Sequence, residues 1–212
     1  MSEPRKQWTL RVKKGLDLDF PYARKMPDFI KKVMPDEGGA AVLFLFGFLR
    51  GDLEFKSPHF LITKRSETVE THKGQMAFPG GMLEENESVI DAALRETHEE
   101  VGILSDQVEV IGTLPLITTM ASQVWVRPVI GLLKGSLEDV EPKVMTTEND
   151  AVFWVQWSDL SRPGVYRMEK FSWNDRSITS PVFALGALGQ AKVWGLTGML
   201  IKNFLDRFES VC

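Results

Sequence analysis

The sequence predicts an α/β sandwich, in which strands flank a central helix and a helical segment lies near the end of the chain. Three observations support this fold class. Short runs rich in Val, Phe and Trp, which are typical of strands, occur on both sides of a segment with helical periodicity. The 212 residues are 43% hydrophobic, enough for one substantial core. No repeat or low-complexity tract interrupts this order.

The chain divides into an N-terminal lead-in, residues 1–34, and one domain, residues 35–212. The lead-in is charged and interrupted by Pro21 and Pro27, so we expect a short helix followed by extended chain. Apolar runs in the domain predict five strands: Ala40–Leu49, Phe60–Thr63, Val108–Ile111, Val124–Leu133 and Val152–Trp157. A last helix is predicted over Phe183–Phe208, although four glycines weaken its helical propensity.

The central helix is predicted over about Ser88–Val101. Ser88 followed by Asp91 resembles a capping box, and Gly102 stands where a left-handed C-terminal cap belongs. A buried stripe is indicated by apolar residues and a threonine at helical spacing: Ile90, Leu94, Thr97 and Val101. One face of this helix is therefore expected to pack on the core.

Three carboxylates, Glu96, Glu99 and Glu100, lie on this helix at spacing i, i+3, i+4. Like charges at that spacing destabilise an isolated helix by roughly 0.2–0.5 kcal/mol per pair, so they need a solvated face or a compensating partner. We expect Glu96 and Glu99 to point away from the buried stripe and Glu100 to lie near its border. The small side chains of Ala92 and Ala93 would leave room for a ligand. A bound divalent cation is the natural partner, and a solvated acidic surface is the alternative.

A glycine-rich turn, Phe78–Gly81, precedes the helix. Paired glycines let the backbone approach a ligand closely, which suits a metal or phosphate site. With the glutamates, this turn completes a pattern over Gly81–Ile103 that resembles the Nudix box of Nudix hydrolases. Every charged and glycine position matches, and only Thr97 departs, where a bulky aliphatic residue is usual.

The resemblance implies a Nudix-type α/β/α sandwich with a mixed sheet and a loop-helix-loop site for Mg²⁺ or Mn²⁺. It implies hydrolysis of a nucleoside diphosphate linked to another group, a small molecule. Glu96 and Glu100 would be the principal metal ligands and Glu99 an additional one with a catalytic role. Arg95 and Glu87 would form the ion pair that orients them. The chemistry agrees, because attack on a diphosphate requires its charge to be neutralised, and hard Mg²⁺ prefers oxygen ligands.

Other segments look like the coenzyme A diphosphatase branch of this family. The first part of its signature matches Leu61–Ser66 (LITKRS) and His72–Gln75 (HKGQ), followed by Phe78–Gly81 (FPGG). Val193–Thr197 (VWGLT) is similar to the Ile-Trp-Gly-Leu-Thr pattern of that branch. One position departs, since Glu70 stands where the branch has arginine.

This likeness implies hydrolysis of coenzyme A or an acyl-coenzyme A to 3′,5′-ADP and (acyl-)4′-phosphopantetheine. Arg65, Lys73, Gly80 and Gly81 would then contact the substrate. Arg65 could equally end a strand and pair with a surface acid. A Nudix enzyme for ADP-ribose or a nucleotide sugar is an alternative that Glu70 favours, and a ligand sensor without turnover is another.

The general base lies outside the box in related enzymes, commonly on a loop. Glu148, just before the last predicted strand, is the best positional match here, with Asp150 and Glu141 as alternatives. We predict Glu148.

Composition limits the partners and the compartment. The net charge of −4 and the lack of a basic stripe argue against nucleic acid. Cys212 is the only cysteine, which excludes an internal disulfide and fits a reducing compartment. No apolar run reaches the roughly 18–20 residues of a spanning helix, and the N-terminal residues lack the apolar core of a signal peptide. We expect a cytoplasmic protein without a membrane partner, and we leave open whether it forms a homodimer.

Overall fold

A mixed sheet forms the centre of the computed structural model, which describes residues 2–17, 38–69, 72–118, 124–173, 176–186 and 191–209. The strands of this sheet are β1 (Ala40–Gly47), β2 (His59–Arg65), β3 (Met76–Ala77), β4 (Gly80–Met82), β5 (Val108–Thr113), β6 (Ile117–Thr118), β7 (Trp125–Leu133) and β8 (Asn149–Gln156). The main order is β3-β2-β1-β7-β5, with β4 on β1, β6 on β7 and β8 on β2. Within the described residues, β1 and β7 run parallel and the other pairs are antiparallel.

Helices cover both faces of this sheet, and the side chains of β1 point alternately into the two hydrophobic cores between the sheet and these helices. Ala41, Leu43 and Leu45 face the helix α2 (Val89–Val101), whereas Phe44 and Phe46 face the opposite side. On that opposite side lie α1 (Glu3–Leu16) and α3 (Gly195–Glu209). The predicted α/β/α sandwich with a mixed sheet is confirmed.

The N-terminal helix α1 packs on the domain. Trp8 lies edge-on to Phe46 and Phe48, with ring centroids 5.4 and 5.2 Å apart. Arg5 donates a hydrogen bond to the Glu109 carboxylate of β5 at 3.0 Å. The short helix expected in the lead-in is therefore present and contributes to the domain's core. Most of the remaining lead-in, including Pro21 and Pro27, lies outside the described residues.

A second, three-stranded sheet occurs in the described part of the C-terminal region, and the sequence did not predict it. It consists of β9 (Tyr166–Trp173), β10 (Arg176–Ala184) and β11 (Lys192–Val193), with all pairs antiparallel. The predicted helix over Phe183–Phe208 is wrong in its first part and right from Gly195 onwards. Phe183 pairs with Val193 across the two strands, and this tertiary pairing outweighs the apolar spacing that suggested a helix.

The five predicted strands are all present, with boundaries that differ by a few residues. None of the described helices is both long enough and apolar enough to span a membrane.

Trp194 stacks on Phe171 of β9 with centroids 4.9 Å apart, so it packs the second sheet against the start of α3. Cys212 lies outside the described residues.

Candidate metal and substrate site

The helix that carries the three glutamates begins and ends at its predicted caps. The Oγ of Ser88 accepts a hydrogen bond from the backbone N–H of Asp91 at 3.1 Å. At the other end Gly102 has φ 75°, and its N–H donates to the carbonyl of His98 at 2.9 Å. These bonds satisfy backbone groups that a helix leaves unpaired at its ends. The prediction of this helix is confirmed.

The buried face of α2 differs from the predicted stripe. Ala92 and Ala93 are fully buried, whereas Ile90 is 36% exposed. The two alanines therefore do not leave space for a ligand; they let the helix lie close to the sheet. Thr97 is also buried, and its hydroxyl donates to the carbonyl of Ala93 at 2.7 Å, so its polar group is satisfied. This rotation of the buried face places Glu100 inside the protein rather than at a border.

The two glycines before the helix allow close approaches, but to protein atoms. A Cβ on Gly80 would lie 2.2 Å from the carbonyl oxygen of Ala41 in β1. A Cβ on Gly81 would lie 2.3 Å from Oε1 of Glu96. Gly80 thus lets β4 pack on β1, and Gly81 leaves the space that the Glu96 carboxylate occupies.

Arg95 connects most of the acidic groups. Its Nε and Nη2 donate to the two carboxylate oxygens of Glu87 at 2.8 and 3.0 Å, a bidentate pair. Its Nη1 donates to Glu96 at 2.9 Å and to Glu99 at 3.2 Å. Its Nη2 also donates to the carbonyl of Met82 in β4 at 3.1 Å. Hydrogen bonds from Arg95 lower the pKa of Glu87, and those to Glu87 raise the pKa of Arg95.

Glu100 has a different environment from the other two glutamates. It is 6% exposed, and burial raises the pKa of its carboxyl to about 7. Arg65 opposes this shift, whereas the charge of Glu96 adds to it. A divalent cation would favour the ionised form of such a buried carboxylate.

Arg65 and Glu148 meet where β2 ends and β8 begins. Nη2 of Arg65 donates to Oε2 of Glu148 at 3.1 Å, and the N–H of Ser66 donates to the Glu148 carbonyl at 2.7 Å. The Glu148 side chain is 60% exposed, yet it lies near enough to Glu100 to raise the pKa of that carboxyl. Arg65 thus ends a strand and pairs with an acid, which is the alternative to substrate contact that the sequence left open. This acid, Glu148, is the predicted general base.

The remaining predicted residues are less well connected to this centre. Lys73 is exposed in the turn between β2 and β3, and Asp150 is exposed in β8. Glu141 pairs with Lys143 at 3.1 Å on the surface. Glu70 lies outside the described residues.

The donor set fits Mg²⁺ or Mn²⁺ by its chemistry. Glu96, Glu99 and Glu100 offer only oxygen, the atom that these cations prefer. Arg95 donates hydrogen bonds to Glu96 and Glu99, whereas Glu100 is a buried carboxylate. As placed, no three carboxylate or imidazole side chains in the described residues converge on one point. Arg95 explains this, because it holds Glu96 and Glu99.

One buried polar residue, Asn149, was not identified from the sequence. It is 4% exposed at the start of β8, and its amide lowers the pKa of the Glu100 carboxyl, against the larger effect of burial. Its position depends on a bulge in the pairing of β2 with β8, for which the sequence carries no marker. The one signal for Asn149 in the sequence is that a polar residue directly follows the predicted base, Glu148.

Comparisons with known proteins agree with this arrangement. A family model described as NUDIX domain matches residues 48–176. Nudix hydrolase 3 of Caenorhabditis elegans is 28% identical over 157 residues, which span 68% of this chain and 65% of that protein, slightly under two thirds of its length. An uncharacterized Nudix hydrolase NudL of Photorhabdus laumondii is 31% identical over 161 residues, which span 72% of this chain and 78% of that protein.

A solved structure also has this fold. The crystal structure of a MutT/nudix family protein from Enterococcus faecalis superposes with a TM-score of 0.51 and 18% identity, covering 99% of this chain and 75% of the other. The structural likeness concerns the fold alone. With the family match over more than half of the chain, these findings show that the chain belongs to the Nudix hydrolase family.

Proposed function

From this family membership, we propose that the chain hydrolyses the diphosphate of coenzyme A or an acyl-coenzyme A with Mg²⁺ or Mn²⁺. The products would be 3′,5′-ADP and (acyl-)4′-phosphopantetheine. Hydrolysis of a diphosphate bond is the activity of the family, whereas the choice of coenzyme A rests on this chain's own residues.

The observation that carries the proposal is the position of the Leu61–Gly81 signature. The first part of the signature, Leu61–Ser66, lies at the end of β2. Its last part, Phe78–Gly81, forms the turn into β4, where Gly81 faces Glu96. The N–H of Arg65 donates to the carbonyl of Gln75 at 2.9 Å, which ties the two parts together. The segments that resemble a substrate signature are therefore next to the glutamates that would hold the metal.

The chain's own groups suit an attack by water on phosphorus. Glu148 would accept the proton of the attacking water, whose oxygen forms a bond to one phosphorus while the bridging P–O bond breaks and the other phosphate leaves. Arg65, between Glu148 and Glu100, offers a positive charge to the diphosphate. When bound, the cation would neutralise phosphate charge and lower the pKa of water.

A second candidate substrate is ADP-ribose or a nucleotide sugar. Glu70 favours it, because an acid in place of arginine would repel the additional 3′-phosphate of coenzyme A. A sensor without turnover is disfavoured, since the chain keeps the four box carboxylates Glu87, Glu96, Glu99 and Glu100. The cytoplasmic location stays a prediction, and whether the chain forms a homodimer stays open.

Product analysis would test these alternatives. The purified protein is incubated with Mg²⁺ or Mn²⁺ and coenzyme A, acetyl-coenzyme A, ADP-ribose, a nucleotide sugar or a dinucleoside polyphosphate, and products are identified by mass spectrometry. We expect the highest kcat/KM for a coenzyme A compound, with 3′,5′-ADP released. Preference for ADP-ribose would reject the proposed substrate, and no turnover of any compound would favour the sensor.

A further inference from the structure

Asn149 is a buried polar residue to which the proposed reaction gives no role. The residue is 4% exposed, and within the described part of the chain neither Nδ2 nor Oδ1 has a hydrogen-bond partner of good geometry. Buried polar side chains nearly always have partners, because an unpaired one loses its bonds to water without replacement. An exception of this kind beside a functional site calls for an explanation.

A β-bulge determines where this side chain points. The pairing of β2 with β8 is regular as far as Lys64 with Ala151, and then Arg65 pairs with Asn149, so Asp150 is the additional residue. Side chains alternate along a strand, and one extra residue reverses that alternation. Asn149 therefore shares a face with Val152 and Trp154, which pack on the side of the sheet that α2 covers.

The segment before Asn149 is fixed to the end of α2. The N–H of Met145 donates to the carbonyl of Glu100 at 2.9 Å, and the N–H of Lys143 donates to the carbonyl of Val101 at 3.1 Å. On the other side, the carbonyl of Glu148 accepts from Ser66 at 2.7 Å. These three backbone bonds hold the start of β8 in place beside α2, near enough for the Asn149 amide to lower the pKa of the Glu100 carboxyl.

We propose that Asn149 is a positioning residue, whose Nδ2 donates to Glu100 once the cation is bound and holds that carboxylate in the orientation needed to bind it. The inference rests on the proposed function, since it takes Glu100 as a metal ligand. A neutral amide suits this task better than a positive group. Arg95 shows the contrast, because its guanidinium already binds one carboxylate oxygen of Glu96 and one of Glu99.

The test is Asn149→Leu, which is similar in size and has no donor. Mn²⁺ affinity is measured without substrate by electron paramagnetic resonance, and Tm is measured after EDTA treatment. We expect Mn²⁺ to bind roughly 10–100-fold more weakly, the usual effect of removing a group that orients a metal ligand. The Tm of the metal-free protein should stay equal or rise, because an unpaired buried amide is replaced by an apolar side chain. A purely structural role predicts a lower Tm with unchanged Mn²⁺ affinity, and that result would overturn the proposal.

Two further variants make the outcome specific. Thr146→Val removes another buried hydroxyl without a partner in the described residues, on the same segment, and should leave Mn²⁺ affinity unchanged. Glu100→Gln should abolish tight Mn²⁺ binding. If it does so while Asn149→Leu binds Mn²⁺ normally, only the role of Asn149 fails; if Glu100→Gln binds normally, the metal assignment itself fails. Asn149→Ala, which adds no bulk, replaces Asn149→Leu if the latter does not fold.

Discussion

The two faces of the main sheet differ in what they bury. On the side of α1 and α3, aromatic rings pack on one another: Phe44 lies 4.6 Å from Phe46 and 5.0 Å from Phe204, centroid to centroid. On the side of α2, small alanines lie next to a buried carboxylate, Glu100, and a buried amide, Asn149.

This difference indicates a division of labour within one domain. Aromatic burial is strongly stabilising, whereas buried charged and polar groups destabilise a protein unless they are paired. We infer that the aromatic face stabilises the fold, and that the α2 face is less stabilising because it buries the polar groups of the proposed metal site. Substitutions of the polar residues on the α2 face should therefore affect activity more than stability, and those of the aromatic residues on the opposite face the reverse.

The largest expected effect is that of Glu100→Gln. If Glu100 binds the cation, this substitution should abolish most activity and the rise in Tm on addition of Mg²⁺, since ligand binding to the native state stabilises it. Circular dichroism should show an unchanged fold. Turnover close to that of the natural chain at saturating Mg²⁺ would contradict the assignment.

The pH dependence of the free energy of unfolding, measured without metal, provides a control for the Glu100→Gln variant. Glu100 has a pKa raised from 4.5 to about 7, so between these values the folded state binds more protons than the unfolded state. The free energy of unfolding should therefore fall as the pH rises from 4.5 to 7 and level off above, by at most about 3 kcal/mol from this group. In Glu100→Gln this part of the pH dependence should be absent, measured by urea unfolding in EDTA.

The next effect concerns the general base. Glu148→Gln should lower kcat by roughly 10²–10⁴-fold with little change in KM, the range for a positioned acid–base group. The side chain is 60% exposed, so Tm should change little. Asp150→Asn serves as the matched control, and loss of activity in that variant instead of in Glu148→Gln would transfer the role to Asp150.

The two neighbouring glycines should respond differently to alanine. In Gly80→Ala the new Cβ meets the backbone of β1, which cannot move, so we expect a clear drop in Tm. In Gly81→Ala it meets the end of the flexible Glu96 side chain, so Tm should change little while kcat/KM falls by roughly 10–100-fold through the displaced ligand. Urea unfolding and steady-state kinetics on both variants would decide this, and a Gly81→Ala enzyme of full activity would show that the Glu96 position is not needed.

The sequence predicts best those features that depend on residues close together in the chain. The caps Ser88 and Gly102 determine α2, and the spacing within that helix brings Arg95 to Glu96 and Glu99. The ion pair of Arg95 with Glu87 is likewise present as the family resemblance implied. The catalytic roles of these residues stay predictions, which the variants above would test.

Features that depend on distant segments could not be predicted. The burial of Glu100 follows from the close approach of Ala92 and Ala93 to the sheet, and that of Asn149 from the register between β2 and β8. The strand that contains Phe183 has apolar spacing compatible with a helix, and only its pairing with β9 and β11 decides the outcome. The first two of these contacts join residues far apart in the sequence, whereas the strand of Phe183 pairs with the strands directly before and after it.

The smallest expected effect tests the aromatic face. Phe204 of α3 is 2% exposed and packs on Phe44, Phe46 and Trp157. Phe204→Leu keeps an apolar side chain but loses the ring contacts, so it should lower the free energy of unfolding by roughly 1 kcal/mol. The kcat and the Mn²⁺ affinity should stay unchanged, because this ring packs on the face of the sheet opposite α2. A loss of Mn²⁺ affinity at a temperature where the variant is fully folded would show that the two faces are coupled through β1, and the division between stability and chemistry would not hold.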